Sequence, residues 1–237
     1  MGPPYDGSEI NAVLTQLAKS RDFVFPHSDH SGKVIEVGSN DAGTIIEPGD
    51  AFIIHPNSII RTGFIRTCDC VPTLGFIDGH SFGIHSSNIT EFGCNSPNND
   101  FAPISQKVLR RITELSGCDL DQCEIHIGPC IAGLQSNGCS CYSYTETQDQ
   151  PDGTRLINLI QKHYPEVDLE GLFFRDDAHG KICFHWGALF VELFKSLGVP
   201  EKNIHTELNY CTQCNDGWWS RRRESVSPSN LSWITKL

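Results

Sequence analysis

The 237 residues carry 18 Lys+Arg against 29 Asp+Glu, a formal net charge of −11, with 38% hydrophobic and 20% charged residues. That balance describes a folded chain able to bury a sizeable core, and it excludes an intrinsically disordered segment. A pI near 5.3 supplies no broad cationic field, so neither nucleic acid nor a membrane surface is expected as a partner.

Residues 8–20 read as a short amphipathic helix, with Ile10, Val13, Leu14 and Leu17 at helical spacing. Residues 1–19 then form an N-terminal helix or extension. Short β segments are expected at 23–25, 34–37, 44–47, 51–54, 59–66, 73–77 and 81–85, punctuated by Gly and Pro as in Glu47-Pro48-Gly49-Asp50. Residues 90–102 are turn-rich. A helix is predicted over 103–116, with Pro103 at its start, an apolar face of Ile104, Val108, Leu109, Ile112 and Leu115, and Gly117 just past its end. An apolar strand at 123–128 runs into Gly128-Pro129. The stretch 133–155 has no periodicity and reads as a loop excursion. Helices are expected at 155–163 and 184–198, the second ending at Gly198-Val199-Pro200, and strands at 203–209 and 231–235. Strands grouped early with helices later point to one α+β domain over residues 1–237.

Eleven cysteines fall below the density of a disulfide scaffold. The N-terminus shows no basic region followed by an apolar run, and no stretch is long enough to span a bilayer, so a cytoplasmic protein with reduced thiols is expected. The cysteines are then candidates for metal binding, catalysis or plain core packing. Cys211-Thr212-Gln213-Cys214 is a CxxC motif. As half of a structural zinc site it needs a second close pair, for which Cys139-Ser140-Cys141 and Cys68-Asp69-Cys70 both offer themselves. Cys118, Cys123, Cys130 and Cys183 read as core or loop thiols.

Cys70 closes a turn between two strands, His85 follows a β segment fifteen residues on, and His27 and His30 sit in an earlier polar turn. Two histidines and a cysteine from strand ends can converge on a metal with an open fourth position, and thiolate with imidazole suits zinc or copper. The run Arg221-Arg222-Arg223, beside Trp218 and Trp219, can grip phosphate or carboxylate, or can decorate a surface. No glycine-rich phosphate loop and no serine nucleophile elbow is present.

In chain order these pieces resemble the YfiH/laccase-domain family, also described as multicopper polyphenol oxidoreductase or purine nucleoside phosphorylase proteins. Its Gln-Val-His-Gly turn resembles Ser28-Asp29-His30-Ser31, its Asp-Gly segment Asp50-Ala51, and its Ala-Asp-Cys-Val-Pro signature Cys68-Asp69-Cys70-Val71-Pro72. An Ile-Gly-Pro strand follows at Ile127-Gly128-Pro129, then Cys-Thr at Cys211-Thr212 and a Ser-x-Arg-Arg element at Ser220-Arg221-Arg222-Arg223. The order holds over about residues 20–237. One element departs: after His85 the family's Gly-Trp-Arg-Gly is replaced by Ser87-Asn88-Ile89-Thr90.

The resemblance implies an α+β fold with a central mixed sheet and flanking helices. It implies a metal triad of His30, Cys70 and His85, the catalytic residues, holding zinc with copper as the alternative. The implied activities are phosphorolysis of adenosine or inosine and deamination of adenosine, with purine nucleoside and phosphate as small-molecule partners. Arg222 and Arg223 are expected to hold the phosphate, an inference from charge. Three other readings use the same residues: a Cys70–His85 amidohydrolase of the peptidoglycan-precursor editing type, a copper-dependent polyphenol oxidase, and a diverged member without catalysis. Oligomeric state is left open by the sequence.

Overall fold

The computed structural model describes residues 22–94, 101–135, 139–146, 148, 152–224 and 229–235. The helix expected over 8–20 lies outside them. Seven strands come first: β1 (Phe23–His27), β2 (Val34–Val37), β3 (Ile45–Pro48), β4 (Ala51–Ile54), β5 (Thr62–Thr67), β6 (Val71–Ile77) and β7 (His80–Ser86). Helices α1 (Asn88–Phe92) and α2 (Ile104–Ser116) follow, then β8 (Glu124–Ile127), β9 (Ser143–Thr145) and α3 (Asp152–His163). The chain continues through β10 (Phe173–Asp176), β11 (Lys181–Phe184), α4 (Trp186–Ser196), β12 (Ile204–His205), α5 (Arg221–Glu224) and β13 (Asn230–Thr235).

A six-stranded mixed sheet, in the order β12-β8-β6-β7-β4-β2, forms the central layer. Helix α2 packs on one face of β7 and β4, and a four-stranded sheet (β13-β5-β1-β3) covers the other. A small antiparallel sheet, β10-β11-β9, carries α3. The expected α+β architecture is therefore present, with two sheets added to the expected central one.

Period-two alternation explains how the layers share residues. In β4, Ala51 and Ile53 join the core beneath the helices, while Phe52 and Ile54 join the cluster between the two larger sheets. All seven residues of β7 are buried, as expected for a strand covered on both faces. Its Phe82 and Ile84 face the helices, so Gly83 and His85 face the four-stranded sheet. Close approach of the sheets depends on glycine: a Cβ on Gly63 or Gly83 would fall 2.2 Å and 2.4 Å from the Phe52 ring.

Helix α2 starts directly after Pro103 and ends at Gly117, which takes φ of 69°, as its flanking residues predict. Several elements differ from expectation, among them the strands Phe173–Asp176 and Lys181–Phe184, where none was expected. The 133–155 stretch is not wholly a loop: it contributes β9 to the small sheet, and α3 begins within it at Asp152. The strand expected at 203–209 shrinks to Ile204–His205, because from Thr206 the chain turns to bring Asn209 against residues 128–135.

Candidate active site

The strands end in a cleft of about 880 Å³, and His30, Cys70 and His85 all line it. His30 lies in the turn after β1 with φ of 57°, a left-handed conformation that a side chain disfavours. Asp50 offsets that strain. It is fully buried at the start of β4 and accepts hydrogen bonds from the amides of His30 (3.2 Å) and Gly32 (2.8 Å) and the hydroxyl of Ser28 (2.5 Å). The Asp50 carbonyl also accepts the amide of His85 at 2.7 Å. One buried aspartate thus ties the two histidine-bearing segments together.

The imidazoles of His30 and His85 meet edge to face, with ring centroids 5.2 Å apart. His85 is buried and neither ring nitrogen has a hydrogen-bond partner. Burial, reinforced by the neighbouring His30, pulls its pKa down to about 3. The Cys70 thiol is pushed up to about 12 by burial, with Asp69, Cys68 and Asp50 adding to the effect. His85 thus presents a buried neutral imidazole with no hydrogen bond to either ring nitrogen, facing the His30 ring, and Cys70 lines the same cleft; imidazole and thiolate are donor types that zinc and copper accept. Ser87 caps α1, and its hydroxyl lies 3.4 Å from His30 Nδ1. The segment Ser87-Asn88-Ile89-Thr90 therefore starts a helix and sets a hydroxyl against His30.

The cleft's cations are Arg66, Arg221 and Arg222. Arg222 donates to the Cys141 carbonyl at 2.5 Å and lies over the Tyr142 ring, 5.5 Å from its centroid. Tyr142 and Tyr144 form an aromatic wall, with their hydroxyls 2.9 Å apart and Asn88 donating to Tyr144 at 2.9 Å. Arg223 is not at the cleft. Its guanidinium donates to the carbonyls of Thr212 (3.1 Å), Gln213 (3.3 Å), Asn215 (3.1 Å) and Trp218 (2.5 Å). The expectation that Arg223 holds phosphate is thereby corrected: its donors are spent on backbone. Arg221, the member of the run to which the sequence reading gave no phosphate role, is exposed at the cleft with no hydrogen-bond or ion-pair partner among the described residues.

A second cluster lies behind the wall. The sulfurs of Cys139, Cys141, Cys211 and Cys214 all lie within 4.8 Å of one another, a grouping able to bind a metal ion. Of the two partners open to the CxxC motif, the fold brings in Cys139 and Cys141 and leaves Cys68 and Cys70 at the cleft. Cys123, Cys130 and Cys183 are buried free thiols, and Cys118 is half-buried.

No protein-family model matches the chain, and no curated protein sequence does. Solved structures do match over nearly its whole length. The hypothetical protein YfiH of Bacillus licheniformis superimposes with a TM-score of 0.72 at 18% identity, covering 97% of this chain and 79% of that one. YlmD from Geobacillus stearothermophilus gives 0.69 at 18% identity, covering 98% and 81%. A Neisseria meningitidis protein gives 0.66 at 17% identity, covering 99% and 83%. The chain has the fold of these proteins, in agreement with the resemblance carried by its ordered motifs. None of its described helices is long and apolar enough to cross a membrane.

Proposed function

We propose that the chain is a metal-dependent enzyme of the YfiH type acting on purine nucleosides, by phosphorolysis or by deamination. The observation that carries this reading is the meeting of His30, Cys70 and His85 in one cleft with an aromatic wall and free cationic charge. His30, Cys70 and His85 would hold zinc, which when bound supplies Lewis-acid polarisation of substrate or water. The chain's own residues do the rest. Asp50 fixes the backbone of both histidine-bearing segments, which limits the reorganisation that binding requires. Tyr144, half-buried at the cleft with its ring perpendicular to Tyr142 and its hydroxyl bonded to Asn88, offers an aromatic ring for a purine to pack against. Arg221 and Arg66 are the groups suited to a phosphate, and Arg221 enters without breaking an existing bond.

Two properties argue against Cys70 as a nucleophile activated by His85. Burial holds the thiol protonated, with a pKa of about 12, and keeps His85 a poor proton acceptor, with a pKa of about 3.

The test is metal analysis of purified protein combined with a nucleoside panel, with and without phosphate, and identification of the products. Wild-type protein should release free base or inosine. His85→Ala and Cys70→Ser should each stop turnover and lose one equivalent of zinc per chain. Unchanged turnover and metal content in both variants would overturn the assignment.

A further inference from the structure

We propose that Cys139, Cys141, Cys211 and Cys214 form a closed tetrathiolate zinc site that staples the back wall of the cleft. This does not depend on the reading of the cleft's chemistry. The two cysteine pairs lie on separate stretches of chain that the backbone draws together. The Cys130 amide donates to the Tyr210 carbonyl (3.1 Å), the Thr212 amide to the Cys130 carbonyl (3.0 Å) and the Gln135 amide to the Asn209 carbonyl (2.9 Å). Asn209, fully buried, adds donations to Gly128 (2.6 Å) and from Leu134 (2.6 Å). Gly133 permits the approach, since a Cβ there would fall 2.5 Å from the Asn209 carbonyl oxygen.

The sulfurs then crowd: Cys139 to Cys211 is 3.3 Å, Cys139 to Cys214 is 3.5 Å and Cys141 to Cys214 is 3.2 Å. None is bonded to another. Four sulfurs at the zinc–thiolate distance of about 2.3 Å from a common centre stand roughly 3.8 Å apart, so only a slight expansion is needed to admit the ion. The second, independent feature is the backbone. The amide of Ala132 donates to Cys211 Sγ at 3.3 Å, the amides of Gln213 and Cys214 point at the same sulfur, and the amide of Cys141 points at Cys139. Converging amide donors are what a thiolate needs and a neutral thiol hardly uses. Four protein ligands leave no open position, which marks a structural site rather than a catalytic one.

The placement gives the site its purpose. Tyr142 follows Cys141 directly, and Arg222 is bonded to the Cys141 carbonyl. Thr212, inside the CxxC loop, donates to Asp69 at 2.7 Å, one residue from Cys70. Arg223 closes the loop through its four carbonyl contacts. A metal here fixes the aromatic and cationic wall without touching substrate.

The experiment uses full-length protein purified under reducing conditions, with zinc counted by elemental analysis and cobalt substituted for the spectrum. Cobalt should give the strong sulfur-to-metal charge transfer and intense ligand-field bands of a tetrahedral tetrathiolate. Cys214→Ser, at the exposed corner of the cluster, should remove that signature and one equivalent of zinc, as should Cys139→Ser. Cys70→Ser and His85→Ala should leave the tetrathiolate spectrum intact, which separates failure at this site from failure at the cleft. The proposal is overturned if Cys214→Ser and Cys139→Ser both retain the full zinc content. It is equally overturned if mass spectrometry of native protein finds these four cysteines in disulfides, or if iron is the bound metal.

Discussion

Glu91 provides a titration that can be worked from the structure. It lies in α1, fully buried, and accepts hydrogen bonds from the hydroxyls of Tyr164, Ser105 (2.8 Å) and Ser86 (3.1 Å). Burial raises its pKa from the ordinary 4.5 to about 7, against the opposing pull of those three hydroxyls. Below pH 4.5 both folded and unfolded chains hold the proton, so Glu91 adds no pH dependence. Between 4.5 and 7 the folded chain keeps a proton that the unfolded chain releases, so stability falls as pH rises, by about 1.4 kcal/mol per unit at most. Integrated from pH 5 to pH 8 the loss is about 2.5 kcal/mol. Glu91→Gln keeps the shape and the serine bonds, with the Tyr164 oxygen accepting from the amide, and it removes the titration. Urea unfolding of both proteins at pH 5, 6, 7 and 8 isolates the effect, because every other group titrates in both. The advantage of wild type over the variant should shrink by about 2.5 kcal/mol across that range. A difference that stays constant, or grows with pH, refutes the argument.

Four further substitutions probe the packing and the arginines. Gly63→Ala drives a methyl into the Phe52 ring and should destabilise by about 1–3 kcal/mol. Adding Phe52→Leu should recover part of that loss in urea unfolding, and a double variant weaker than the sum of the singles would show that the ring is not the obstacle. Arg223→Ala strips hydrogen bonds from the carbonyls of the CxxC loop and should cost about 1–3 kcal/mol, with weaker zinc retention in a chelator competition. Arg221→Ala should change stability by no more than about 0.5 kcal/mol while raising the KM for phosphate. Equal thermal shifts in the two arginine variants would contradict the assignment of separate roles.

Much of the strand order was readable because each short β segment is bounded by Gly or Pro and alternates or runs apolar, as in Ala51–Ile54. The ends of α2 were readable for the same local reason, Pro103 before and Gly117 after. Where tertiary contact decides, local pattern misled. Residues 206–209 carry strand-like composition, yet Leu208 is 62% exposed, and the segment serves to deliver Asn209 to its four partners around Gly128, Cys130, Leu134 and Gln135. His85, the last residue of the strand expected at 81–85, does lie within β7, where the two-residue alternation turns it toward the cleft. Asp50 gave no local signal for its role, since its partners are 18 to 22 residues back in the chain.

The three arginines show why a cluster in sequence is not a cluster in space. Successive residues on a helix point about 100° apart, so three in a row on α5 cannot all face one ligand. Arg221 reaches the open cleft, Arg222 bridges to Cys141 and Tyr142, and Arg223 turns back into the cysteine loop. Charge count alone treats them as equivalent, whereas backbone direction divides them into a group open to the cleft, a brace and a loop closure. The same logic separates the cysteines. CxC and CxxC spacing identified pairs, but pairing between segments some 72 residues apart is a property of the Cys130–Cys211 backbone bridge, which no local pattern encodes. The cleft therefore depends on a knot of backbone contacts beneath it, and substitutions there should alter substrate binding without removing any group that touches substrate.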